Sequence, residues 1–141
     1  MERQEIVVDA SVVVKWFLIE EFSSEALRLR NDYVRGIITI AAPSLLEYEV
    51  LNALRYSGVY TIEELKEICT ALNKYGFKIY ELEDRLKKDI VEIAQKNGIT
   101  IYDASYIALA KQLNTILYTA DLELIKKFPD IAVHIKQYQY K

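Results

Sequence analysis

With one cysteine, Cys69, and one histidine, His134, the 141-residue chain has no Cys/His set for zinc and no partner for an internal disulfide. Any metal it binds must be held by oxygen. Charged or polar residues interrupt every hydrophobic run, so neither a signal peptide nor a bilayer-spanning segment is expected. The expectation is a soluble, cytoplasmic protein with no membrane partner. A net charge of -3 gives no large basic field, so a nucleic-acid ligand would have to be drawn in by local Lys and Arg or by a bridging cation. Linkers, internal repeats and low-complexity tracts are lacking too. What is present, 52% hydrophobic and 28% charged residues, suits a single domain over residues 1–141 with a sizeable core.

Apolar runs of two kinds alternate along the chain. Ile6, Val7 and Val8 form a β-branched run suited to a strand buried on both faces, and Asp9 follows at its carboxyl end. Helical spacing is expected from Ser11 to Leu18 and from Glu21 to Tyr33. Further helices are expected from Pro43 to Ser57, Thr61 to Tyr75, Asp84 to Asn97, Tyr102 to Leu113 and Asp121 to Phe128, most of them closed by Gly or Pro. Short strands are expected at Ile37 to Ala41, Phe77 to Leu82, Thr115 to Thr119 and Ile131 to Ile135. Strands separated by helices predict an α/β fold, a three-layer α/β/α sandwich around a mostly parallel sheet.

Asp9, Glu47, Asp103 and Asp121 are the candidates for chemistry. Each also fits an ordinary helix cap: Asp9 and Asp121 by position, and Glu47 and Asp103 by the three-residue offset from Ser44 and Thr100 that defines a capping box. Thr61 and Glu64 show the same offset with nothing else to suggest function. At ~100° per residue, however, Glu47 shares a stripe with Val50, Leu51 and Leu54, while Glu49 points elsewhere, and Asp103 aligns with Ile107 and Ala110. An acid on an apolar stripe needs a partner. Carboxylates ~4 Å apart repel by roughly 4 kcal/mol at an effective dielectric of about 20, so a cluster would raise its own pKa values or recruit a cation. Hard oxygen ligands favour Mg²⁺ or Mn²⁺, and these suit phosphodiester hydrolysis.

Four segments together resemble the PIN-domain ribonucleases, and among them the small VapC-like toxins of type II toxin–antitoxin pairs. They are Val-Val-Asp-Ala-Ser at 7–11, Pro-Ser-Leu-Leu-Glu-Tyr-Glu-Val-Leu-Asn at 43–52, Thr-Ile-Tyr-Asp-Ala-Ser-Tyr-Ile-Ala-Leu-Ala at 100–110 and Tyr-Thr-Ala-Asp at 118–121. The resemblance implies that Asp9, Glu47, Asp103 and Asp121 hold one or two Mg²⁺ or Mn²⁺ ions for endonucleolytic cleavage of RNA. It also implies an antitoxin partner and a homodimer. Ser11 and Thr119 look like supporting hydroxyls, with cap or turn bonding as the plainer role. Asn52 reads as structural support, Lys15 and Arg55 as solvated surface, Cys69 as core, His134 as structural, and Tyr102 and Tyr106 as packing residues.

Competing classes fit less well. A receiver-like signalling domain would carry its acceptor Asp after the third strand and a lysine after the fifth. Here those places hold Glu81-Leu82-Glu83-Asp84 and only Lys136. An aspartyl-phosphate enzyme would show Asp-x-Asp after the first strand, where this chain has Asp9-Ala10-Ser11. A non-catalytic interaction module on the same fold remains the alternative.

Overall fold

Ile6, Val7 and Val8 are fully buried in the central strand of a five-stranded sheet, as their β-branched run predicts. The computed structural model describes residues 3–139, so the outermost residues of the expected 1–141 domain lie outside it. The strands are β1 (Gln4–Val8), β2 (Ile38–Pro43), β3 (Lys78–Tyr80), β4 (Leu117–Thr119) and β5 (Ala132–His134). Their order is β3-β2-β1-β4-β5, and every pairing is parallel.

Between them run α1 (Ala10–Val14), α2 (Ser23–Val34), α3 (Leu46–Ser57), α4 (Ile62–Tyr75), α5 (Asp84–Asn97), α6 (Ile101–Gln112) and α7 (Leu122–Lys127). After β3 the chain must return across the sheet to reach β4. With right-handed crossovers, the helices before and after that return cover opposite faces. The result is the three-layer α/β/α sandwich. Among the described residues, no helix is long and apolar enough to cross a membrane.

α6 is buried from Ala104 to Ala110, which explains its lack of a polar face. Ala104 and Ala108 admit Leu86, Ile90 and Ala94 of α5, and α6 also packs on β1 and β2. α1 stops at Val14, short of the expected Leu18, because its last bonds tighten to three-residue spacing, Lys15 N–H to Val12 O at 3.1 Å and Trp16 N–H to Val13 O at 2.9 Å. The Trp16 indole donates to Ala26 O of α2 at 2.9 Å and draws the chain out of the helix, leaving Ile19 fully exposed.

Candidate active site

The strand order reverses between β1 and β4, and the carboxyl ends of such neighbours form a crevice. Asp9 leaves β1 there. Val8 pairs with Tyr118, so the next residues, Asp9 and Thr119, stand side by side. The Thr119 hydroxyl donates to Asp9 Oδ2 at 2.5 Å, and the Ser11 hydroxyl and amide donate to Asp9 Oδ1 at 2.5 and 3.1 Å. Each hydroxyl in turn accepts a backbone amide, Ser11 Oγ from Ala120 N at 2.9 Å and Thr119 Oγ1 from Asp121 N at 3.0 Å. Those amides occupy the hydroxyl lone pairs and leave the hydroxyl protons to point at Asp9. Asp9 therefore caps α1 and is also held in one orientation by hydroxyls from α1 and β4.

Burial raises the Asp9 carboxyl from 3.8 to about 6; the bonds from Ser11 and Thr119 lower it, and the charge of Asp103 raises it further. Asp103, half-buried in the first turn of α6, is itself raised by burial and then by Asp121. Thr100 caps α6, its hydroxyl accepting from Asp103 N at 3.0 Å. Asp121 caps α7, with Oδ1 accepting from Glu123 N at 2.9 Å and Leu124 N at 3.3 Å. Asp9, Asp103 and Asp121 thus form one electrostatic group.

Glu47 lies elsewhere. It lines a groove of about 330 Å³ between α3 and α4, beside Ser44, Tyr48, Leu51, Cys69 and Asn73. The Ser44–Glu47 capping box does not form, because Leu45 is the N-cap and provides no side-chain bond. The acid of α3 that faces the group is Glu49. Its Oε1 accepts from the Tyr106 hydroxyl at 2.6 Å, and its carboxyl is raised by burial and by the charge of Asp103. The expectation that Glu49 points away from the acids is therefore corrected. Glu47 and Glu49 stand on opposite shoulders of the buried Leu46, Val50 and Leu54 stripe, and only the packing of α4 and α6 decides which shoulder meets the other acids. By contrast, the Thr61–Glu64 pair forms both bonds of its capping box.

Tyr106, 1% exposed, is held by Glu49, and burial, then that bond and the charges of Glu49, Asp9 and Asp103, push its phenol far above the ordinary range. Tyr102 differs from expectation in being 62% exposed, and Cys69 is exposed too. Lys15 is neither solvated nor free, since it is buried and bonded to Glu20 at 3.2 Å. Arg55 and Asn52 are exposed. His134 caps the 3₁₀ turn Ile135–Gln137, its Nδ1 accepting from Lys136 N at 3.0 Å.

No Lys or Arg forms an ion pair with Asp9, Glu49, Asp103 or Asp121 among the described residues. Nor do three or more acid, imidazole or thiol groups there stand in a finished metal-holding arrangement. The donors are all hard oxygen, mutually repelling and without a counter-charge, which is the chemistry a divalent cation fits.

Comparison with known proteins identifies the family. The family described as the PIN domain matches residues 6–130. Ribonuclease VapC3 of Pyrobaculum aerophilum is 33% identical over 129 residues, covering 88% of this chain and 95% of the relative. Exonuclease VapC9 of the same organism is 29% identical over 119 residues, covering 79% and 84%. Among solved structures, a toxin–antitoxin complex from Klebsiella pneumoniae shares the fold, with a TM-score of 0.66 at 17% identity over 92% of this chain and 97% of that one. On the match to residues 6–130 and the similarity to VapC3, the chain belongs to the PIN-domain family.

Proposed function

We propose that the chain is a metal-dependent endoribonuclease, the toxin of a toxin–antitoxin pair. One observation carries the reading. Burial raises Asp9, Glu49 and Asp103, the charge of Asp103 adds to it at Asp9 and Glu49 and that of Asp121 at Asp103, and among the described residues no Lys or Arg forms an ion pair with any of them. Carboxylates brought together at that cost are a ligand set awaiting positive charge. Asp9, Glu49 and Asp103 would hold Mg²⁺ or Mn²⁺, with Asp121 beside them; Glu47 does not belong to this set. When bound, the cation supplies the charge that draws in a phosphodiester and acidifies a water molecule.

The side chains fix the rest. Ser11 and Thr119 keep the Asp9 carboxylate from rotating, and Tyr106 directs Glu49 toward Asp103. Asp121 presents only Oδ1 to the α7 amides, which leaves Oδ2 unused by them. An RNA substrate fits a protein without a basic field, because the metal does the attracting that lysines do elsewhere. The ribonuclease name of the VapC3 relative and the antitoxin in the Klebsiella complex support the RNA substrate and the antitoxin partner. A homodimer, as the resemblance implies, belongs to the same proposal.

Digestion of a circular RNA in Mg²⁺ and Mn²⁺ tests the reading, since a substrate without ends yields only to an endonuclease. Wild type should open the circle, whereas Asp103→Asn and Glu49→Gln should lose at least about 100-fold in rate. Equal cleavage by wild type and both variants would assign the activity to a contaminant. Cleavage confined to linear RNA would make the enzyme an exonuclease.

A further inference from the structure

Among the described tyrosines, two sets bear on the site. Tyr33, Tyr60, Tyr80, Tyr106 and Tyr138 are tied into the fold through their hydroxyls, which donate to Tyr75 O, Phe17 O, Glu5, Glu49 and Asp32 respectively. Tyr102 belongs to the other set. Its ring is 62% exposed and its hydroxyl has no protein partner among the described residues. It immediately precedes Asp103 in the first turn of α6, one turn before Tyr106 on the same helix face.

The helix that follows Asp121 shows a related pattern, with Leu122, the next residue, 68% exposed. Tyr102 and Leu122 are thus exposed next in sequence to two of the acids. The proposed substrate carries a flat π-face on either side of each phosphate.

We propose that Tyr102 is a stacking platform for an RNA base next to the scissile phosphate. This inference rests on the nuclease reading and deepens it, by making an unpaired, splayed-out base a requirement at the cut. Stacking onto a tyrosine needs a base free of its helical neighbour, so a duplex phosphate would reach the acids without gaining the contact. The charge distribution favours a base over an acidic protein segment, because Asp103, Asp121 and Glu123 already crowd that end of α6 with negative charge. A base is neutral, and its own phosphate is met by the cation.

The test uses a short single-stranded RNA carrying 2-aminopurine beside the mapped cut, with Ca²⁺ replacing Mg²⁺ during binding and sedimentation run alongside. Wild type should quench the fluorophore. Tyr102→Leu should bind about tenfold more weakly and lose the quench, and Tyr102→Trp should restore both. Wild-type affinity and quench in Tyr102→Leu, with wild-type cleavage intact, would overturn the platform and leave the nuclease reading standing. A loss in Tyr102→Leu that tracks dissociation of a dimer would overturn it too, and assign the ring to a protein interface. If wild-type protein neither binds nor cuts the RNA, the nuclease reading fails and takes the platform with it. Tyr48→Leu, on a different helix, controls for a general loss of apolar surface and should leave the quench in place.

Discussion

Burial lifts the Asp9 carboxyl, and the consequence for stability has a definite sign. The folded carboxyl titrates at about 6 against an ordinary value of 3.8, so between those values the folded state holds a proton that the unfolded state has lost. The Asp9 contribution to the stability of the metal-free protein is therefore fullest below about pH 4 and falls as pH rises toward 6. At 1.36 kcal/mol per unit the fall is about 3 kcal/mol. Urea unfolding in chelator should show that decline, and Asp9→Asn should flatten it; an equally steep decline in Asp9→Asn would place the titrating group elsewhere. Tyr106→Phe removes the donor to a half-buried carboxylate and should cost about 1 kcal/mol in the same assay, discounted for the exposure of Glu49. It should also weaken metal binding, which loss of packing alone would not do. Asp9, Asp103 and Asp121 were legible in the sequence because each sits at an element junction. Glu49 was not, because a helical wheel separates buried from exposed and does not say which neighbour meets each shoulder of the buried stripe.

At the level of elements, α6 is the clearest case of sequence pattern and structure agreeing for a physical reason. Its alanines predict close packing, and Ala104 and Ala108 do meet Leu86, Ile90 and Ala94 of α5. Ala108, 2% exposed, has no room for a larger side chain. Ala108→Leu should destabilise by about 1–3 kcal/mol and, by displacing α6, lower metal affinity as well. A thermal melt checks the first effect; a variant melting at or above the wild-type temperature would mean that α5 can yield. The α5 boundaries coincide with the Asp84 to Asn97 expectation because Gly98 ends the helix in a left-handed conformation, at φ 63°. The outer strands are shorter than expected. β3 spans only Lys78–Tyr80 because, at the sheet edge, it has a single neighbour to pair with. α1 ends early through the Trp16 tie to α2, a long-range contact that local periodicity does not contain.

For the molecule as a whole, the parallel three-layer architecture followed from alternation of strand and helix, whereas strand order did not. Nothing local in the sequence says that β4 returns beside β1, yet this return puts Thr119 against Asp9 and Asp121 near Asp103. Helix-cap chemistry and site chemistry use the same residue types, so Asp9 and Asp121 act as caps and as members of the acidic group at once. The Thr61–Glu64 box shows that the pattern alone has no functional content. Convergence is what gives it meaning, and convergence is a property of the fold.

The central claim, that carboxylates from β1, α3 and α6 meet to hold a divalent cation, is tested most directly by titrating Mn²⁺ calorimetrically into wild type, Glu49→Gln and Glu47→Gln, with melting temperatures measured in parallel. Wild type and Glu47→Gln should bind the ion and gain thermal stability with its concentration, while Glu49→Gln should lose most of both effects. Retained binding in Glu49→Gln together with its loss in Glu47→Gln, or no binding by wild type at all, would contradict the account.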